Sequence, residues 1–115
     1  ETVVMLPDSP GRGGRNQHFA LSAALELMGD RQLLVLSAGT DGSDGPTQDA
    51  GGLVDDQTVQ RGELAGLNAR SCLFNADAGS FLEASGDLVN TGPTGTNVMD
   101  LVIALKRPEP AVTAE

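Results

Sequence analysis

Apolar stretches along the chain are separated by polar, glycine-rich gaps, and the spacing inside each stretch predicts an element. Thr2-Val3-Val4-Met5-Leu6 is an extended, β-branched run closed by Pro7-Asp8-Ser9-Pro10, which predicts a strand ending in a turn. Leu21, Ala24, Leu25 and Met28 recur at i, i+3, i+4 and i+7, the spacing of one helix face. Gly29 follows as a residue that accepts the left-handed conformation just past a helix end. Gln32 to Ala38 is continuously apolar, as expected of a strand covered on both faces. The apolar pattern resumes briefly over Gly51-Gly52-Leu53-Val54-Asp55-Asp56. Thr58 is placed to cap a helix running to Leu67, and Asn68 or Ser71 opens a further segment. Asp77 to Ala84 predicts a short helix carrying Phe81 and Leu82, stopped by Gly86. Asp87-Leu88-Val89 is a strand or turn, and Val98 to Leu105 a last strand. Residues 108–115 show no core pattern and are expected to form a flexible tail.

This order of strand, helix, strand, helices and strand predicts an α/β domain with a small mixed, partly parallel sheet packed with helices. A length of 115 residues allows one domain, occupying positions 1–107. The chain opens at Glu1 inside a predicted strand, which suggests a domain cut from a longer polypeptide. Most of the 15 glycines fall in three loops, at 11–14, 39–52 and 92–95, each following a predicted strand. Ligands of open α/β sheets bind outside the carboxyl ends of strands, so the three loops are expected to gather at one rim.

Charge narrows the partners. Seven Lys+Arg against 16 Asp+Glu give a net charge of −9, a poor match for nucleic acid or an anionic membrane surface. The longest apolar runs, such as Leu33 to Leu36, fall far short of the roughly 20 residues of a membrane span. Cys72 has no partner for a disulfide and nothing resembles a secretory signal, so the expected location is cytoplasmic. The chain has no Trp or Tyr and three Phe, so its core must be mainly aliphatic. Lys106 and His18 are its single lysine and histidine, which leaves few ways to assemble a complete active site from this chain alone.

The loops carry the candidate chemistry. Arg12 and Arg15 stand where Gly11-Arg12-Gly13-Gly14-Arg15 enters a helix, whose first amides and dipole favour an anion. A guanidinium fork suits carboxylate or phosphate, and a surface turn with solvated arginines is the other reading. The run is neither a Walker A sequence nor a G-x-G-x-x-G fingerprint. Thr40, Asp41, Ser43, Asp44, Thr47 and Asp49 offer oxygen ligands to magnesium, with ordinary Asp-Gly turn chemistry as the alternative. Thr91 to Asn97 combines glycines, threonines and an asparagine able to form an anion nest or to hold a neighbouring loop. Asp100 either orients one of the arginines or is a satisfied carboxylate at the core edge. His18 is expected to pack or meet solvent, and Cys72 to act as a small buried hydrophobe.

Three segments in order carry a resemblance over about positions 1–107: Gly13-Gly14-Arg15-Asn16-Gln17, Gly39-Thr40-Asp41-Gly42-Ser43-Asp44-Gly45-Pro46-Thr47, and Thr91-Gly92-Pro93-Thr94-Gly95-Thr96-Asn97-Val98-Met99-Asp100-Leu101. Together they resemble the MOFRL domain, the C-terminal portion of class II glycerate kinases, some of which carry a hydroxypyruvate reductase label. The resemblance implies a two-domain kinase that phosphorylates D-glycerate from ATP, with Mg2+ or another divalent metal. Its cleft would lie between an N-terminal nucleotide-binding domain of the same polypeptide and this domain. Carried over, Arg15 is the catalytic group that binds the glycerate carboxylate or the transferring phosphoryl. Arg12, Asn16, Thr94, Thr96 and Asn97 are substrate-binding, and Asp41 and Asp44 serve the metal. The chain departs from the family in having His18, where an acidic residue usually follows Arg-Asn-Gln, and in Asn75 to Leu82. The isolated chain is expected to be inactive and to bind neither ATP nor Mg2+ tightly. The alternatives are a domain of a reductase-type oxidoreductase, or a non-catalytic module that binds small anions or pairs with another subunit, a homodimer included.

Overall fold

A computed structural model describes residues 10–108. The strand expected at Thr2–Leu6 and the tail from 109 onward lie outside the described residues. Eight elements follow in order: α1 (Arg15–Leu27), β1 (Leu33–Gly39), β2 (Gly51–Val54), α2 (Thr58–Leu64), α3 (Ala69–Phe74), α4 (Ala78–Ser85), β3 (Leu88–Val89) and β4 (Asp100–Lys106).

The α/β class stands, but the partly parallel sheet does not. The strands are ordered β3-β2-β1-β4, and every pairing among the described residues is antiparallel. A parallel neighbour needs a crossover, usually helical, whereas the link from β1 to β2 contains no helix and folds straight back. Helices α2 to α4 fill the return to β3 at one edge, and the segment before β4 crosses to the other edge. Gly39, the end of β1, therefore pairs with Asp100, the start of β4, and Gly51, the start of β2, with Val89, the end of β3. The β1–β2 and β3–β4 connections therefore lie at one end of the sheet.

The core lies on one face. Ala20, Leu21, Ala24 and Leu27 of α1 are buried against β1 and β2, with Phe81 and Leu82 of α4 and Val59 of α2 closing the cluster. Full burial of Leu21, Phe81 and Leu82 contributes about 1.5–3 kcal/mol each. The buried stripe of α1 sits slightly to one side of the expected one: Leu27 points inward, and Met28 caps the helix with its side chain exposed. Gly29 has φ +87°, the left-handed conformation expected of it. Asn68 opens α3, its side chain accepting a hydrogen bond from the Ser71 amide. Gln57 takes the cap position expected of Thr58, which becomes the first helical residue of α2. The opposite sheet face departs from expectation too. Leu53, Leu101, Ile103 and Leu105, in register beside Leu36, Ala38 and Leu34, remain exposed, so β1 is not fully covered on both sides.

Candidate functional site

Helix α1 begins without a cap of its own. Its N-cap is Gly14, no side chain on the flanking residues accepts from the first turn, and that turn holds no acidic residue. The missing acceptor comes from the second loop. Asp44, 1% exposed, accepts from the Asn16 amide at 2.9 Å and the Gln17 amide at 2.8 Å, one carboxylate oxygen each. A carboxylate at the positive end of a helix is the favourable arrangement, here supplied across 28 residues of sequence. Gly14 makes the approach possible, because a Cβ there would stand 2.5 Å from the Asp44 carboxylate oxygen. The helix start expected to receive an external anion is thus taken by an internal one.

Asn16 extends this contact. Its side-chain amide donates to Asp44 at 3.2 Å and to Asp100 at 3.0 Å, while its carbonyl oxygen accepts from Ser37 Oγ at 2.8 Å. Arg15 then forks onto Asp100, from Nε at 2.5 Å and from Nη2 at 2.9 Å. These hydrogen bonds from Arg15, with a smaller one from Asn16, hold the Asp100 carboxyl below the usual carboxylate range despite its burial. Both readings of Asp100 are realised together: it is a satisfied carboxylate at the core edge and it orients an arginine.

The three glycine-rich loops do converge. Thr40 donates its amide and its hydroxyl to the Met99 carbonyl, and its hydroxyl oxygen accepts from the Val98 amide. Thr94 donates its hydroxyl to the Thr40 carbonyl at 2.5 Å and its amide to the Asp41 carbonyl at 3.3 Å. Gly14 of the first loop packs on Asp44 and Gly45 of the second. Between the second loop, the third and the start of α1 opens a cavity of about 410 Å³, lined by Arg15, Asp41, Ser43, Asn97, Met99 and Asp100, with Gly39 and Gly45 at its wall. Asp41 is tied to its own turn by the amide and hydroxyl of Ser43. Asn97 accepts from the Met99 amide, an Asx turn that closes its loop. Met99 has φ +69°, an unfavourable left-handed conformation held by the Thr40 contacts just before the Arg15 partner.

The residues singled out from sequence therefore separate. Arg15, Asp41 and Asn97 share the cavity. Thr94 braces the loops through its hydroxyl, and Thr96 accepts from that hydroxyl through its carbonyl. Arg12 lies elsewhere, paired with Asp49 at 3.2 Å and with Glu83, and it lines a separate hollow with Asn90. Two expectations of direct contact are corrected. Asn16 is 1% exposed with every polar side-chain atom engaged, and Asp44 is buried behind the cavity as the cap of α1. Among the described residues, no group of three His, Cys, Asp or Glu side chains could hold a metal ion. Ser37 escaped notice because a serine in an apolar strand gives no chemical signal until its neighbour is known. Cys72 is buried, which pushes its thiol up, with Asp77 adding to the shift, so it is no ready nucleophile. No helix among the described residues is long and apolar enough to cross a membrane.

Fold and site define an α/β domain that presents an arginine, clamped by a carboxylate, in a polar cavity formed by two loops and the start of α1. Residues 1–100 match the MOFRL family model, and the chain belongs to that family. It is 50% identical to a D-glycerate 2-kinase of Thermotoga maritima, over 91% of this chain and 25% of that protein. The crystal structure of a Thermotoga maritima glycerate kinase superposes with a TM-score of 0.88 over 92% of this chain and 25% of that one. A solved Pyrococcus horikoshii protein, 39% identical, gives the same TM-score over 95% of this chain. A relative named for hydroxypyruvate reductase, from Agrobacterium vitis, is 44% identical. The chain spans about a quarter of the length of these relatives.

Proposed function

We propose that this chain is the C-terminal domain of an ATP-dependent glycerate 2-kinase and forms one wall of the cleft in which D-glycerate is phosphorylated. The observation that carries this reading is the Arg15 guanidinium, fixed on Asp100 at the edge of a cavity lined by Asp41, Ser43 and Asn97. A carboxylate or a phosphoryl group is the natural partner of a guanidinium held in a defined direction. Phosphoryl transfer asks the protein mainly for positioning and neutralisation of charge, and Arg15 supplies both. Asn97 borders the substrate from the third loop, with Thr94 and Thr96 keeping that loop against the second.

The described residues do not make a metal centre, and Asp41 supplies one carboxylate to an Mg2+ ion held mainly by phosphate and other residues. ATP is assigned to an N-terminal nucleotide-binding domain of the same polypeptide. The exposed aliphatic face around Leu53, Leu101, Ile103 and Leu105 supports such a neighbour, because a lone soluble domain rarely leaves so contiguous an apolar surface open.

The test is turnover in the full-length polypeptide carrying this domain. ATP-dependent phosphorylation of D-glycerate is expected, with no NAD(P)H oxidation on hydroxypyruvate, and none with the isolated chain. Arg15→Ala is expected to lower kcat/KM about 10²–10³-fold, the usual cost of removing one charge-stabilising donor. Oxidation of NAD(P)H without ATP consumption would replace this reading with the reductase one.

A further inference from the structure

Between the cap of α1 and the clamp on Arg15 sits a single carboxamide. Asn16 faces two carboxylates, Asp44 and Asp100, and gives each one of its two amide hydrogens. Its oxygen points the other way, toward the Ser37 hydroxyl on β1. This orientation is dictated by charge, because turning the amide over would set its oxygen against two anions. Few side chains fit the position. An aspartate would add a third negative charge, a serine has one hydrogen to give instead of two, and an alanine has none.

We propose that Asn16 is a positioning residue, which through Asp100 sets the direction in which Arg15 enters the cavity. The inference rests on the reading of Arg15 as the substrate-facing group. Asp100 binds Arg15 with both oxygens, and the oxygen that receives Nη2 is the one that receives the Asn16 amide. The carboxylate is thereby locked against rotation. Asn16 is in turn fixed by two rigid elements: its own backbone amide on Asp44 at the start of α1, and its oxygen on β1. The path from helix and sheet to guanidinium runs through four side chains, Ser37, Asn16, Asp100 and Arg15. Asn16 itself meets no ligand.

The experiment follows the Nε–H signal of Arg15 by nitrogen-15 relaxation and hydrogen exchange in the full-length polypeptide carrying this domain. In Asn16→Ala, the Arg15 signal is expected to lose order and its exchange to quicken about tenfold, the scale of one hydrogen bond to a charged group. The core amides of Leu21, Phe81 and Leu82 should stay protected. In an Asp100→Asn background the same Asn16→Ala change should add nothing further. Should Asn16→Ala fail to fold, Ser37→Ala decides: it removes only the donor behind Asn16, and is expected to loosen Arg15 in the same sense, less strongly. Unchanged Arg15 order in a folded Asn16→Ala protein, or in Ser37→Ala if that variant must decide, overturns the proposal. An equal loss of order with and without Asp100 overturns it too. Titration of the full-length polypeptide with D-glycerate is scored separately: a missing shift at Arg15 counts against the function proposed for it, while the change in order on removing Asn16 still reports the positioning.

Discussion

Asp44 shows how far a residue's role can lie from its chemistry in sequence. An aspartate in a glycine-rich loop suggests a metal ligand or a turn, yet here it is the N-terminal acceptor of a helix that carries no cap of its own. Asp44→Ala would strand two buried backbone donors and one amide hydrogen of Asn16, a loss of about 2–3 kcal/mol expected in urea unfolding. His18 makes a second prediction at this scale. Burial lowers its pKa below 6.5, and its Nδ1 is buried without a partner among the described residues. The folded state therefore favours the neutral ring. That stability is full above the unfolded pKa near 6.5 and is lost as pH falls through the lower folded value. Urea midpoints measured from pH 7.5 to pH 5 should fall for the native chain, with a shallower slope for His18→Gln.

The elements show which local signals were sufficient. Periodicity placed α1, the Gly86 stop after Phe81 and Leu82 bounded α4, and the Gly29 stop was readable because it acts within a few residues, whereas the start of α3 was open between Asn68 and Ser71. The direction of the strands was not readable. Pairing depends on where a connection returns, and a link of turn residues between β1 and β2 is compatible with several paths until the core is packed. The pairing makes its own prediction through Gly51, which lies opposite Ala38. A Cβ there would stand 1.8 Å from the Ser37 carbonyl oxygen, a clash with backbone that cannot move aside. Gly51→Ala should cost about 3 kcal/mol, lowering Tm by about 10 °C or more. A melting curve within a few degrees of the native chain would show that β1 and β2 approach less closely.

Over the whole molecule, a net charge of −9 is held together by a few arginines used several times. Arg61 of α2 binds both oxygens of Asp87 and also reaches Asp55, tying both ends of the α2–β3 segment, while Arg15 fixes Asp100 at the start of β4. Burial raises the Asp55 carboxyl, but the Gln57 amide and Arg61 together outweigh it and the net shift is downward, as it is for Asp100. A lowered carboxyl contributes stability that is complete above its unfolded pKa, near 3.9, and is lost as pH falls through the folded value. Acid unfolding below about pH 4 is therefore expected to soften in Asp100→Asn, which starts less stable at pH 7 but has one proton fewer to take up. Parallel urea series at pH 6 and pH 3 would check this.

Sequence alone determined the α/β class, most helices, the aliphatic core and the three loops whose order marks the MOFRL family, because each is written in neighbouring residues or in short motifs. Tertiary structure alone decided that the sheet is antiparallel, that Asp44 caps α1 from another loop, and that Asn16 stands behind Arg15 rather than beside it in the cavity. The reason is physical. A carboxylate or amide has the same chemistry wherever it falls in the chain, and only packing determines whether its hydrogen bonds go to a ligand or to the protein itself.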